Sequence, residues 1–274
     1  MAVLSSSLFA GERPELGETL KPSREIVYKK VGDRELRLFV FEPTGHTSND
    51  ARPALLAIHG GGWAGGAPNT EFYLANAMAE RGMIGFALEY RLIKGKASTV
   101  FECVKDGRSA VRYLRSHAKE LGIDPNRIVV AGGSAGGHVA ASTALLDEIN
   151  ESSDDLAIDP HPNVLILRYA VLDTSKEGYG SGTIGARWKE LSPLHHVRKN
   201  MPPALLFHGT ADTVTPYKNA TDFRDAMIAA GNKCELITAE GATHGHVRLD
   251  PKRAAQAVVD TVKFLNGLGY KLKG

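Results

Sequence analysis

The sequence has only two cysteines in 274 residues, no long hydrophobic run and almost no excess of charge of either sign. Cys103 and Cys234 lie far apart and lack the CxxC spacing typical of zinc and redox sites, so we expect two buried thiols and no metal. No apolar segment approaches the roughly 20 residues needed to span a bilayer. Lysine and arginine number 33 against 31 acidic residues, a balance that argues against nucleic-acid and membrane partners.

The first residues, MAVLSSSLFAGERPE, resemble the end of a signal peptide, although they are short and lack a basic start. We expect residues 1–24 to form an N-terminal extension and residues 25–274 to form one globular domain. If the extension is the remnant of an export signal, the protein is secreted or periplasmic; otherwise the segment is a frayed terminus of a cytoplasmic protein.

Apolar runs of strand length alternate with helical patterns along the rest of the chain. EIVYKKV and ELRLFVFEP, joined at Gly32-Asp33, predict an antiparallel hairpin at a sheet edge. Six continuous apolar runs follow, of the kind typical of parallel strands covered on both faces; they begin at residues 54, 84, 127, 164, 204 and 234. The sequence therefore predicts an α/β fold: a mostly parallel sheet of eight strands, an antiparallel N-terminal edge and helices on both faces. Helical patterns cover residues 71–81, 100–121, 135–147, 219–230 and 251–268.

The stretch VVAGGSAGGHVAAS, residues 129–142, places a serine between glycines where an apolar strand gives way to a helix. Residues 132–136, with Ser134 at the centre, fit the pattern G-x-S-x-G of a nucleophile elbow. Such a serine needs a strained backbone, and flanking glycines remove collisions with the strand and the helix. The alternative is a glycine-rich turn whose serine only caps the helix, and the pentapeptide alone leaves this alternative open.

A second glycine cluster, HGGGWAGG, follows the first long apolar strand at residues 59–66. Its main-chain N–H groups are free of bulky side chains and could donate to an oxyanion. The same glycines also satisfy the pattern GxGxxG of dinucleotide sites, with Glu89 in the place of a ribose-binding acid. We disfavour that interpretation because the next helix is delayed to about Thr70 and because Trp63 occupies the middle of the would-be phosphate turn.

A serine hydroxyl becomes a nucleophile when a histidine removes its proton and an acid orients that histidine. His244, in the loop after the last apolar strand, is the preferred base, and His246 in the same loop is the second choice. Asp212, after the strand ALLFHG, is the preferred acid. Asp173, after the preceding strand, remains as the alternative, since acids at either strand end can serve the same geometry.

Together these motifs resemble the α/β-hydrolase superfamily, and within it the hormone-sensitive-lipase-like esterases and the bacterial acetyl-xylan and feruloyl carbohydrate esterases. The matching stretches HGGGW, EYRL, GGSAGGH, PPALLFHGTADTVTP and GATHGH cover nearly everything from residue 54 onward. The stretch RLIKGKAS differs from the proline-containing RLAPE stretch of many relatives. The resemblance therefore says less about the residues of the acyl pocket than about the triad.

The resemblance implies that residues 25–274 form a single α/β-hydrolase domain with no cofactor. It implies a nucleophile, an acid and a base at Ser134, Asp212 and His244. It also implies an oxyanion hole made by the N–H groups of Gly61, Gly62 and Ala135.

The segment between residues 173 and 203 is too short for a large lid, so we expect a shallow, open cleft. Such a cleft suits a serine carboxylesterase that acts on short-chain or aromatic acyl esters, of small molecules or of carbohydrates. Aromatic walls for such a substrate could come from Trp63, Trp188 and Tyr217, with Tyr179 as a further candidate. The sequence does not indicate which oligomeric state the protein adopts.

Two other functions remain open. An arylformamidase or a peptidase would use the same triad on an amide; formamidases resemble this sequence but carry an aromatic residue in the glycine loop, where this chain has Gly62. A non-catalytic binding protein of the same fold would usually have lost a member of the triad, and each of the three residue types is present here.

Overall fold

The computed structural model describes residues 19–93 and 98–274. Most of the N-terminal extension therefore lies outside the described residues, as does the centre of RLIKGKAS. Among the residues described, no helix combines the length and the apolar character that crossing a membrane requires.

The core of the fold is a sheet of eight strands in the order β1-β2-β4-β3-β5-β6-β7-β8. The first two strands form the predicted antiparallel hairpin, the second also pairs antiparallel with the fourth, and all remaining pairs are parallel. The predicted mostly parallel sheet with an antiparallel N-terminal edge is confirmed. The strands are β1 Arg24–Val31, β2 Arg34–Phe41, β3 Arg52–Ile58, β4 Ile84–Leu88, β5 Ile123–Gly133, β6 Val164–Arg168, β7 Ala204–Gly209 and β8 Cys234–Ala239.

The helices connect the parallel strands much as the sequence patterns predicted. One predicted helix, over residues 100–121, is divided at His117, whose backbone leaves the helical region, and Gly122 ends the second piece in a left-handed conformation. The helices are α1 Phe72–Glu80, α2 Val100–Ser116, α3 Ala118–Leu121, α4 Ala135–Leu145, α5 Ser181–Ile184, α6 Tyr217–Ala229, α7 His246–Leu249 and α8 Pro251–Gly267.

Two apolar clusters cover the two faces of the sheet. Successive side chains of a strand point to opposite faces, so Leu55 and Leu56 of β3 belong to different clusters. One cluster includes residues of α2, α4 and α6, and the other includes residues of α1 and α8. Cys103 and Cys234 are buried free thiols, as predicted. Because helices cover both faces of the sheet, the accessible region is the edge where the parallel strands end. Side chains from the loops that follow these strands can meet there.

The turn from β5 into α4 lies against the end of β3. A Cβ added to Gly136 would lie 2.1 Å from the main-chain oxygen of Ile58, and one added to Gly132 would lie 2.3 Å from that of Gly136. Only glycine permits these approaches, which explains why this turn is so rich in glycine.

We expect Gly136→Ala to lower the free energy of unfolding by about 1 to 3 kcal/mol, because main-chain atoms must shift to accept the new methyl group. Urea denaturation measures this loss. Gly267→Ala at the end of α8 is the matched control, since its Cβ would meet no atom within 4 Å. The control should be neutral or stabilising by up to about 1 kcal/mol. Equal effects of the two substitutions would contradict the packing argument.

A buried histidine joins three separate segments. The indole Nε1 of Trp63 donates to Nδ1 of His138 (3.2 Å), and Nε2 of His138 donates to the main-chain oxygen of Leu191 (2.7 Å). Because Nδ1 accepts a hydrogen bond, the ring is neutral. Burial lowers the pKa of His138 to about 4, although the hydrogen bond to Leu191 acts in the opposite direction.

The lowered pKa of His138 predicts a loss of stability in mild acid. Between the ordinary histidine pKa of 6.5 and about 4, the unfolded chain binds a proton that the folded chain excludes, so the free energy of unfolding falls as the pH falls. One such histidine contributes at most about 1.4 kcal/mol per pH unit. His138→Gln retains a donor and an acceptor without titrating, and denaturation from pH 7 to 4 should show a shallower dependence. An unchanged slope would refute this assignment.

Candidate active site

The three residues predicted as nucleophile, acid and base follow three strands that end at the same edge of the sheet. Ser134 comes directly after β5, Asp212 follows β7, and His244 follows β8. The predicted backbone strain at Ser134 is confirmed by its φ of 55° and ψ of −125°. The amide of Ser134 donates to the main-chain oxygen of Arg168 (3.0 Å), which ties the strained residue to the end of β6.

The side chains of these residues form a continuous hydrogen-bonded chain. Oγ of Ser134 lies 2.9 Å from Nε2 of His244, and Nδ1 of His244 lies 2.9 Å from Oδ2 of Asp212. An ionised carboxylate only accepts hydrogen bonds, so Nδ1 carries the proton and Nε2 can accept one from the serine. This is the tautomer that general-base activation of a hydroxyl requires.

The carboxylate of Asp212 is buried and fully hydrogen-bonded. Oδ1 accepts from the amides of Val214 and Thr215 (both 2.9 Å), and Oδ2 accepts from the Thr215 hydroxyl (3.0 Å) as well as from His244. Nε2 of His208, a buried side chain on β7, lies 3.4 Å from Oδ2. Burial raises the pKa of Asp212, but hydrogen bonds from His208 and His244 outweigh it and hold the pKa well below its usual range. The acid therefore stays ionised.

Asp173, the alternative acid, lies in a different network. It accepts from the amide and hydroxyl of Ser175 (2.8 and 2.9 Å) and from the hydroxyl of Ser192 (3.3 Å). Nδ1 of His195 is 4.0 Å away. Asp173 thus stabilises the segment after β6. The acid that contacts His244 is Asp212.

Tyr169 packs against both histidines of the loop after β8, His244 and His246. The ring centroid of Tyr169 lies 5.0 Å from that of His244, in an edge-on contact, and 6.0 Å from that of His246. His246, the second choice as base, is buried, and its Nδ1 faces the main-chain oxygen of Thr243 (3.3 Å). His246 therefore has a buried, supporting position in the loop.

The amides predicted to form the oxyanion hole are free. Within residues 19–93 and 98–274, the N–H groups of Gly61, Gly62 and Ala135 donate to no main-chain oxygen. A Cβ on Gly60 would lie 3.2 Å from Cβ of Ser134, so the glycine loop lies directly beside the serine. Ala135 begins α4, where the helix dipole favours negative charge. These amides can donate to a ligand next to Ser134.

A stacked pair that the sequence analysis did not identify supports the glycine loop. Nδ1 of His59 donates to the main-chain oxygen of Gly60 (2.8 Å), and the hydroxyl of Tyr90 donates to that of His59 (2.9 Å). The two rings stack with centroids 4.4 Å apart. Burial lowers the pKa of His59 to about 4, so its ring is neutral. The motif EYRL was noted in the sequence, but its contact with the loop required the fold.

The aromatic residues predicted to line the substrate site lie in different environments. Trp63 is fully buried against His138, so the prediction that it forms an aromatic wall for the substrate is wrong. Its φ of 62° turns the side chain beneath the loop. Trp188 is half-buried and packs edge-on against His195, with centroids 5.1 Å apart. The Tyr217 hydroxyl forms a hydrogen bond with that of Thr238 (2.7 Å).

The segment between β6 and β7 contains only one short helix and two 3₁₀ turns, Gly185–Leu191 and Pro193–His196. This confirms that no large lid is inserted there. In the described part of the chain, no cluster of three or more metal-ligating side chains could hold an ion. The α1 helix starts at Phe72, well after the glycine loop, which disfavours the dinucleotide interpretation.

Comparisons with known proteins agree with this geometry. The model of the BD-FAE family matches residues 39–176, just over half of the chain, and that of TAP-like proteins matches residues 185–266. The fold is similar to that of esterase 2 from Thermogutta terrifontis. Its apo form has a TM-score of 0.87 and 36% identity, covering 97% of this chain and 99% of that one. Its propionate-bound form has a TM-score of 0.86 and 38% identity, covering 92% and 96%.

Curated relatives are more distant and longer. A probable isoprenylcysteine alpha-carbonyl methylesterase of Arabidopsis thaliana is 28% identical over 256 residues, which cover 84% of this chain and 52% of the relative. Endo-1,4-beta-xylanase B of Butyrivibrio fibrisolvens is 28% identical over 193 residues, which cover 66% of this chain and 30% of the relative. The chain thus spans about half or less of the length of these two relatives. The family match and the structural likeness show that the chain belongs to the BD-FAE family, among the esterases of the α/β-hydrolase superfamily.

Proposed function

We propose that the protein hydrolyses carboxylic esters with short or aromatic acyl groups through an acyl-enzyme on Ser134. The observation that carries this proposal is the hydrogen-bonded chain from Ser134 through His244 to Asp212. The free amides beside Ser134 supply the second requirement of acyl transfer, which is a set of donors for a developing oxyanion.

The reaction takes place in two steps. Oγ of Ser134 attacks the ester carbonyl carbon while Nε2 of His244 takes the hydroxyl proton, and the carbonyl oxygen becomes negatively charged. The amides of Gly61, Gly62 and Ala135 donate to that oxygen; one such donor stabilises the transition state by about 3 to 4 kcal/mol. His244 then protonates the leaving alcohol. A water molecule, deprotonated by His244, finally hydrolyses the acyl-enzyme.

We propose a carbohydrate or a small alcohol as the part that leaves. The short segment between β6 and β7, which contains no large lid, supports a bulky leaving group. Solved forms of the Thermogutta esterase contain propionate and butyrate, which supports a small acyl group. The likeness to a xylanase over 193 residues supports a carbohydrate.

An amidase is the second candidate, and one contact disfavours it. A Cβ on Gly62 would lie 3.0 Å from the hydroxyl of Tyr179, and the backbone φ of Gly62 is +60°. An aromatic residue, as formamidases carry in this loop, would be strained by this φ and would displace the Tyr179 hydroxyl.

Two aspartate variants test the proposed acid. Asp212→Asn should reduce kcat by about 10⁴, because an amide favours the wrong tautomer of His244. Asp173→Asn should reduce kcat less than about tenfold, since Asp173 contacts Ser175 and Ser192 instead of His244. Turnover of 4-nitrophenyl acetate by the two folded variants measures both effects. The reverse ranking would overturn the assignment of the acid.

A substrate profile tests the proposed activity. We expect kcat/KM to be highest for 4-nitrophenyl esters with acyl chains of two to four carbons and to fall at least about tenfold by eight carbons, because the segment between β6 and β7 is too short to enclose a long acyl chain. Acetylated xylan, methyl ferulate and an N-formyl arylamine complete the panel, with Ser134→Ala as the inactive control. A preference for long chains would refute the open cleft, and faster turnover of the amide would favour the amidase.

A further inference from the structure

The hydroxyl of Tyr179 lies above the glycine loop, close to a proposed oxyanion donor. It is 3.0 Å from the position that a Cβ on Gly62 would occupy, and that position is only two bonds from the Gly62 amide nitrogen. Gly60, in the same loop, lies against Ser134. A substrate whose carbonyl oxygen is bound by the Gly62 amide would therefore have its adjacent atoms within reach of the Tyr179 hydroxyl.

This hydroxyl is free to bind a ligand. The hydroxyls of Tyr28, Tyr90 and Tyr217 each form a hydrogen bond within the protein. The Tyr179 hydroxyl has no such bond to any residue that the structure describes, and its side chain is only half-buried. A phenol hydroxyl can both donate and accept, so its natural partner is another hydroxyl or an ether oxygen.

The position of the Tyr179 ring is fixed by its surroundings. Its centroid lies 5.5 Å from that of the buried Trp63. The amide of Tyr179 donates to the main-chain oxygen of Asp173 (3.0 Å), the residue held by Ser175 and Ser192. The next residue, Gly180, is so close to Trp63 that a Cβ there would lie 2.7 Å from the indole ring. A preorganised hydroxyl loses little entropy when it binds.

We propose that Tyr179 is a specificity-determining residue whose hydroxyl binds a hydroxyl or ether oxygen of the substrate, one or two carbons from the scissile ester group. The site then favours esters that carry such an oxygen over esters of plain acids and plain alcohols. This inference rests on the proposed esterase activity and refines its substrate class. The oxygen can belong to a polyol or sugar on the alcohol side, or to a hydroxy acid on the acyl side.

Tyr179→Phe tests the proposal, because it removes the hydroxyl and keeps the ring against Trp63. Two matched pairs of esters separate the sources of the oxygen: glycerol monoacetate against propyl acetate, and methyl glycolate against methyl acetate. We expect kcat/KM to fall about 5- to 10-fold for the hydroxylated member of one pair, mainly through KM, and less than twofold for its plain partner. The pair that responds identifies the side of the ester.

Tyr113→Phe, on α2 with its ring stacked on His117, is the control and should leave all four rates unchanged. Equal losses on all esters would indicate a general structural or oxyanion role and would overturn the proposal, as would no loss on any. Either of these outcomes differs from the result expected if the protein were not an esterase that acts through Ser134. In that case the wild-type protein would hydrolyse none of the esters, or Ser134→Ala would hydrolyse them at the wild-type rate.

Discussion

The site depends on the close approach of two loops that leave neighbouring parallel strands. The loop after β5 carries Ser134 and the loop after β3 carries the free amides of Gly61 and Gly62, and the two meet because Gly136 lies against the main chain at the end of β3. Any side chain at position 136 would push the two loops apart and would move the Ser134 hydroxyl away from the amides of the glycine loop. The strain at Ser134 arises from the same turn and is balanced by main-chain hydrogen bonds to Arg168 at the end of β6 and to Val171 in the loop after it.

Around this contact, the protein keeps one acidic side chain ionised and two histidine side chains neutral. Asp212 has enough donors to remain an anion inside the protein, whereas His59 and His138 are kept neutral by burial. The anion is thus placed on one side of His244, and the supports of the glycine loop carry no charge that could compete with a developing oxyanion. In the proposed reaction, such an arrangement concentrates the electrostatic effect on the carbonyl oxygen.

Much of this arrangement could be predicted from the sequence, because it follows from chain order. Parallel strands end at one edge, so Ser134, Asp212 and His244 could be placed together once the apolar runs were identified. Contacts set by unusual backbone angles could not be predicted in the same way. Trp63 was expected to contact the substrate, but its residue has a positive φ and its ring is buried, where the indole donates a hydrogen bond to His138. The role of His208 depends on the path of the chain after β7, which apolar periodicity does not encode.

The hydrogen bonds of His138 join the glycine loop, the helix after the nucleophile and the 3₁₀ turn that ends at Leu191. None of these segments can move alone without breaking a bond inside the protein, where water cannot replace it. The proposed oxyanion hole is consequently formed before any substrate binds. The free-energy cost of aligning its dipoles falls on folding, so the dipoles need no reorientation in the proposed reaction.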